Sequence, residues 1–349
     1  MSTELETNEV QDTNTVITEP AIKQERENKL PVVQQLLFLT AVLLFIFSGS
    51  ITPRIIAFWG KHTDNQAQVS KSQEKNEEQK VTNITEPFSN IVITAHAAYV
   101  WDVQKQKALF KKNEAEKLPL ASITKLMTAL VAQEVLGEKD KVTIGKLSIR
   151  QQGESGFKEG EVFQRISLSD LVLMASSNDG AFALASAAGD VLTPKQNGAD
   201  SFVRAMNIRA HEIGLTDTYF KNPTGLDLST TEGGAYGTVR DVAFLMEYIV
   251  KNEPDILSFT KENSARFYTQ TGEHHDAENT NEFTGKISGL IGSKTGYTEL
   301  AGGNLVIAFN AGLNRPIIAA VLGSTQQERF SDILRLVTEV QKYIKKESQ

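Results

Sequence analysis

From Val32 to Ile51 the chain carries no charged side chain, and Leu36 to Phe47 (LLFLTAVLLFIF) is apolar but for one threonine. A helix needs about 20 mostly apolar residues in a row to span a bilayer, and no other stretch of the sequence qualifies. Polar sequence without apolar periodicity flanks it on both sides, which disfavours a core helix. The chain therefore divides into a disordered cytoplasmic tail (1–30), a transmembrane signal anchor (31–52), a flexible linker rich in Gln, Lys, Glu, Asn and Ser (53–88), and a folded domain (89–347). A cleaved signal peptide ending near Ser48-Gly49-Ser50 is the competing reading. The long polar leader and the apolar residues after Pro53 favour the anchor. Lys23, Arg26 and Lys29 precede the span, against Arg54 and Lys61 after it. This slight bias predicts a single-pass protein of the cell membrane, in contact with the lipid bilayer, its N-terminus cytoplasmic and its domain extracytoplasmic.

Composition removes several function classes. The net charge is −7 and no region is strongly basic, so no nucleic-acid partner is expected. The chain has no cysteine, which excludes disulfides, thiol nucleophiles and thiolate zinc sites. In the folded part, Ala97–Trp101 and Lys107–Phe110 read as a hairpin around a Val103–Gln106 turn. Helices are expected over 123–136, 168–175, 179–188, 201–213 and 239–250, and a long one over 327–345. Apolar runs at 290–294, 304–309 and 317–322 read as strands. Strands first and near the end, with helices between, predict an α+β fold.

Three short segments carry chemistry. In Ser122-Ile123-Thr124-Lys125 a serine and a lysine lie one turn apart on one face of a helix start. A serine hydroxyl needs an adjacent base, and a lysine can serve if burial brings its pKa toward neutrality. Read alone, this is a capping serine followed by a solvated lysine. Ser176-Ser177-Asn178 falls between two helices, where such residues usually cap. Lys294-Thr295-Gly296 ends an apolar run. Its lysine and hydroxyl suit a carboxylate, and its glycine would let a peptide backbone lie alongside; a plain strand end is the bland alternative. Together and in this order, the three form the motif set of class A β-lactamases and penicillin-binding proteins.

The likeness extends beyond the motifs. LPLASITKLMTALVA (118–132), MASSNDGAFALA (174–185), FVRAMNIRAHEIGLTDTYFKNPTGLD (202–227) and GSKTGYTELAGGNLV (292–306) resemble segments of the D-alanyl-D-alanine carboxypeptidases, the S11 serine peptidases. The resemblance covers roughly residues 90–345. It implies a serine β-lactamase/DD-transpeptidase-like fold: a mainly antiparallel sheet flanked by helices, with the first hairpin joined to the late strands, plus a helical subdomain. It further implies that Ser122 is the acyl-enzyme nucleophile, that Lys125 takes its proton, and that Ser176 relays a proton to the leaving amine. Asn178 would hold the substrate amide. Lys294 and Thr295 would bind the terminal carboxylate, beside Gly296. The backbone N–H groups of Ser122 and Tyr297 would form the oxyanion hole. The implied substrates are peptidoglycan stem peptides ending in D-Ala-D-Ala, the implied inhibitors β-lactam antibiotics, and no metal or cofactor is needed. Leu120 stands where many members have proline, and the N-terminal span would replace their C-terminal membrane attachment.

Three rivals share the motifs: a peptidoglycan DD-endopeptidase, a serine β-lactamase and a non-catalytic penicillin-binding sensor. The string nearest to a β-lactamase's water-activating loop, Glu212-Ile213-Gly214-Leu215-Thr216, lacks the asparagine. His274-His275-Asp276 with Glu278 sits in a polar, loop-like stretch and is a poor metal site. Arg240-Asp241 reads as a helix-start charge arrangement, and Tyr219 and Phe220 as core.

Overall fold

The computed structural model describes residues 87–153, 155–194 and 197–349. The expected tail, anchor and most of the linker lie outside the described residues. Among the described residues no helix is long and apolar enough to cross a membrane.

Among the described residues, twelve strands and six α-helices follow in chain order. They are β1 (Ala97–Asp102), β2 (Lys107–Lys112), β3 (Leu118–Pro119), α1 (Lys125–Val135), β4 (Lys141–Thr143), β5 (Val162–Gln164), α2 (Arg165–Ala175), α3 (Asn178–Leu192) and α4 (Gly198–Glu212). Then come β6 (Tyr219–Phe220), β7 (Ala235–Gly237), α5 (Val239–Asn252), β8 (Ser264–Tyr268), β9 (His274–Glu278), β10 (Leu290–Thr298), β11 (Gly302–Asn310), β12 (Pro316–Ser324) and α6 (Glu328–Glu347). The architecture is α+β. A five-stranded sheet runs β10-β11-β12-β1-β2, antiparallel throughout. The first hairpin thus joins the late strands, as expected.

The central strands are nearly continuous apolar runs because both faces of the sheet are covered. Ile317, Ala319 and Val321 of β12 pack with Phe330, Ile333, Leu336 and Val340 of α6. Ile318, Ala320 and Leu322 face the other way, into a core shared with α1, α3 and α5. Two expected details change. His274–Glu278 is a strand, not a loop: its partner β8 pairs with it, and Ala277 and Phe267 pack on Leu171 and Met174 of α2. Tyr219 is exposed while Phe220 is buried, because β6 is a two-residue edge piece with only one face inward. Asp241 does stand in the first turn of α5, as expected; it is also buried and accepts bonds from Asp217 N and Thr218 Oγ1, both at 3.0 Å.

The start of the domain is fastened to its last helix by one buried carboxylate. Asp332 accepts from Thr94 N (2.9 Å), Ala95 N (2.8 Å), Ser324 Oγ (2.7 Å) and Arg335 Nη1 (2.9 Å). Asp332→Ala leaves two backbone donors without a partner and is expected to lower unfolding stability by about 3 kcal/mol. Urea denaturation measures it, and a loss under ~1 kcal/mol would show that water replaces the carboxylate.

Candidate active site

Small elements aim the Ser122 segment. β3 pairs with β7, β7 pairs with β6, and Leu120 N donates to Ala235 O at 3.0 Å. The chain then turns through Ala121, whose φ of +48° lies in the left-handed region. Such a conformation is strained for a residue with a Cβ. Residues Ala121–Thr124 form one 3-10 turn and α1 begins only at Lys125, so the expected α-helical start at Ser122 is a tighter helix. The three-residue spacing still does its work: Lys125 Nζ lies 2.7 Å from Ser122 Oγ.

Lys125 is fully buried, and burial pushes its pKa down to about 7. Its amine also donates to Asn178 Oδ1 (2.6 Å) and to the Thr224 carbonyl (2.8 Å). Those two oxygens can only accept, whereas the serine hydroxyl can accept or donate. The ammonium form satisfies all three positions by donating. The neutral amine keeps two donations and turns its lone pair to the Ser122 hydroxyl proton. Either protonation state fits the same geometry, so a proton can cross between Ser122 and Lys125 without rearrangement.

A second serine–lysine pair lies opposite. Ser176 closes α2 in the left-handed conformation, and its Oγ accepts from Lys294 Nζ at 2.8 Å. Lys294, also fully buried, donates as well to the Thr295 carbonyl (2.9 Å). Burial, then the charges of Lys125 and Arg329, hold its pKa well below the usual lysine range. Ser177 caps α3 by accepting from Gly180 N and donates to Ser155 Oγ at 2.7 Å. Asn178 Nδ2 donates to the Gln152 carbonyl at 2.6 Å. With Oδ1 on Lys125, this fixes which way the amide faces and leaves one N–H for a ligand.

All eight residues singled out by sequence therefore converge, and Gly296 has a further use. A Cβ on Gly296 would lie 2.9 Å from Leu120 O and 3.2 Å from Ser122 N. Its missing side chain lets β10 lie against the Ser122 segment, a use not foreseen. Thr295 is buried with Oγ1 2.6 Å from Thr280 Oγ1, and Tyr297 is partly exposed, its hydroxyl donating to Glu299. Sequence reasoning missed three participants. Thr280 is an isolated threonine in a polar run. Arg329 donates to the Gly296 carbonyl at 2.8 Å from α6, where its number in the chain gives no hint of the site. Thr224 contributes a backbone carbonyl, which no side-chain pattern reports, although its Asn-Pro-x-Gly-Leu context was visible.

Two cavities meet at Gly153 and Asn178. One, of about 290 Å³, is lined by Leu226, Asp227 and Tyr297–Glu299. The other, of about 370 Å³, is lined by Ser155, Ser176, Ser177 and residues 275–278. Among the described residues no cluster of three His, Asp or Glu side chains could hold a metal ion. His275 instead pairs with Glu161 at 3.1 Å.

Residues 80–326 match the D-alanyl-D-alanine carboxypeptidase family, peptidase S11. This chain belongs to that family. It is 31% identical over 255 residues to D-alanyl-D-alanine carboxypeptidase DacF of Bacillus subtilis, covering 71% of this chain and 62% of the relative. It is 31% identical over 259 residues to DacC of Escherichia coli, covering 70% and 61%. A D-alanyl-D-alanine endopeptidase of Pseudomonas aeruginosa is 31% identical over 254 residues, covering 70% and 76%. The chain thus spans less than two thirds of the length of the two carboxypeptidases. Among solved structures, penicillin-binding protein D2 of Listeria monocytogenes with ampicillin bound superposes with a TM-score of 0.60 at 29% identity, covering 72% of this chain and 98% of that one. A variant of a Streptomyces DD-transpeptidase does so with a TM-score of 0.65 at 27% identity, covering 71% and 98%. The S11 chain therefore has the penicillin-binding protein and DD-transpeptidase fold.

Proposed function

We propose that this S11 chain is a serine D-Ala-D-Ala carboxypeptidase that removes the terminal D-alanine from peptidoglycan stem peptides and is acylated by β-lactams. The observation that carries this reading is the Lys125 amine, buried, near neutral and in contact with Ser122 Oγ. Ser122 Oγ forms a bond to the carbonyl carbon of the penultimate D-alanine while Lys125 takes the hydroxyl proton. The C–N bond breaks, and the proton passes through the Lys125–Ser176–Lys294 cluster to the leaving amine. Water then hydrolyses the ester and returns a proton to Ser122. Lys294 and Thr295 receive the terminal carboxylate, the free Asn178 N–H holds the acyl-side amide, and the Ser122 and Tyr297 N–H groups face the oxyanion. D-Alanine release from diacetyl-Lys-D-Ala-D-Ala, with fluorescent penicillin labelling in parallel, tests it. Labelling without release would leave an endopeptidase or a sensor.

The pH dependence follows from Lys125. Only the neutral amine can accept the proton, and its fraction grows as pH rises through about 7. Acylation by penicillin should therefore fall about tenfold per pH unit below that point and level off above it. Stopped-flow acylation from pH 5 upward measures this; a rate independent of pH across that range would refute Lys125 as base.

We further propose that residues 31–52 anchor the chain, with the N-terminus cytoplasmic, the catalytic domain extracytoplasmic and residues 53–88 as spacer. The uncharged Val32–Ile51 stretch supports this. The expected result is membrane-fraction recovery of penicillin-labelled chain, resistant to carbonate and digestible from outside intact cells. Recovery in the soluble fraction would overturn the anchor.

A further inference from the structure

One buried carboxylate has no role in the fold or in the cleft. Asp102, Asp241 and Asp332 are buried too, and each is met by donors: Arg315 at 2.6 Å for Asp102, backbone N–H and hydroxyl groups for the other two. Asp170, in the middle of α2, is 8% exposed, and its carboxylate has no hydrogen-bond or ion-pair partner among the described residues. Arg165, whose charge acts on it, sends its Nη1 to Gln133 Oε1 at 3.3 Å. Burying a carboxylate without donors is costly, and native structures rarely do it without a use. Burial raises the Asp170 pKa to about 7, with Arg165 opposing the shift and Asp255 adding to it.

The surroundings of Asp170 say what could meet it. It stands on the wall of a third cavity, of about 390 Å³, with Phe259, Phe267, Tyr268, Arg266 and Gln270. This cavity shares no lining residue with the two at the cleft. The rings of Phe259 and Phe267 sit 5.3 Å apart, edge to face, and Tyr268 is exposed. Arg266 does not serve Asp170: its guanidinium pairs with both carboxylate oxygens of Asp276, at 2.6 and 3.0 Å. Asp170 is the one acidic side chain on this wall, so a single unmatched negative charge lies among three aromatic side chains.

That combination selects a ligand chemistry. A metal ion wants several oxygen ligands, and one carboxylate among rings is a poor set. A primary ammonium supplies N–H donors to the carboxylate and a positive charge that aromatic rings attract, and the alkyl chain behind it suits the apolar lining. We propose that this cavity is a binding site for a primary alkylammonium group, the end of a free amine or of a lysine-type side chain, with its nitrogen on Asp170 and its chain against Phe259, Phe267 and Tyr268. The site is separate from the peptidase cleft and does not depend on which bond that cleft cuts.

Isothermal titration calorimetry of the full chain tests it at pH 8, where Asp170 is mostly ionised and an alkylamine keeps its proton. The probes are pentylammonium, Nα-acetyl-lysine N-methylamide as the peptide-borne form, and 1-pentanol as the uncharged chain. One-to-one binding of an ammonium probe is expected, with pentanol at least about tenfold weaker for want of a charged donor. Asp170→Asn keeps the shape, removes the charge and should weaken ammonium binding at least about tenfold. Tyr268→Ala, at an exposed position, should weaken it about two- to fivefold. Tighter binding of the lysine derivative assigns the site to a peptide, and tighter binding of pentylammonium assigns it to a free amine. Binding of neither, binding unchanged in Asp170→Asn, or pentanol equal to pentylammonium overturns the site. Should Asp170→Asn fail to fold, pentanol and Tyr268→Ala decide together: weaker binding in both supports the site, and parental binding in either overturns it.

Discussion

Ser122→Ala should lower D-alanine release and penicillin acylation by on the order of 10⁴-fold or more, the loss typical of removing a nucleophile from a concerted set. The fold should not suffer. Ser122 is only partly buried, and its hydroxyl bonds to Lys125 Nζ. Lys125 keeps Asn178 Oδ1 and the Thr224 carbonyl, and a neutral amine needs only those two acceptors. The variant should therefore unfold within about 1–2 °C of the parent, since a surface-like truncation is worth under ~0.5 kcal/mol. Loss of labelling at unchanged melting temperature places the covalent bond at Ser122. Residual labelling at a few per cent of the parental rate would move the nucleophile elsewhere, and Ser176 would be the next residue to replace.

Gly225→Ala should damage stability and acylation together. Gly225 has φ +78°, and a Cβ there would sit 1.9 Å from Ala121 O, 2.4 Å from Ala121 C and 2.6 Å from Thr124 Oγ1. Left-handed backbone costs a residue with a Cβ about 1 kcal/mol, and forced overpacking against backbone adds ~1–3 kcal/mol. A total near 3 kcal/mol corresponds to a fall in melting temperature of roughly 6–12 °C for a domain of this size. The loop cannot yield quietly, because Asn222 Oδ1 gathers Thr224 N, Thr224 Oγ1 and Gly225 N into one turn. Pushing that turn away from Ala121 withdraws the Thr224 carbonyl from Lys125 and shifts the strained Ala121–Ser122 peptide. A displacement near 1 Å is worth about 10²-fold in rate. Scanning fluorimetry with penicillin acylation reads both. Melting within 2 °C of the parent, at full acylation rate, would mean that the loop does not brace the nucleophile.

Much of the site was legible because its parts are short-range. Ser122 and Lys125 are one helical turn apart whatever the rest of the chain does, and Ser177 caps the helix that follows it. The apolar runs of β11 and β12 also declared themselves, since burial on both faces leaves no polar positions. The β8–β9 hairpin did not. Its strands (SARFY and HHDAE) carry only Ala265, Phe267 and Ala277 toward α2, and such polar segments become strands through pairing and not through composition. Thr280, the Thr224 carbonyl and Arg329 escaped for a related reason: each acts from far along the chain through one contact.

The sequence by itself determined which residue types were present in which order, hence the candidate nucleophile, its candidate base and the family. Local helix geometry and the covering of both sheet faces are written in spacing and composition. Only the tertiary structure decided that Lys125 is fully buried and so near neutral, and that Lys294 faces Ser176 and not solvent. Burial and the distance between residues 118 positions apart depend on how separate elements pack, and no local pattern encodes them.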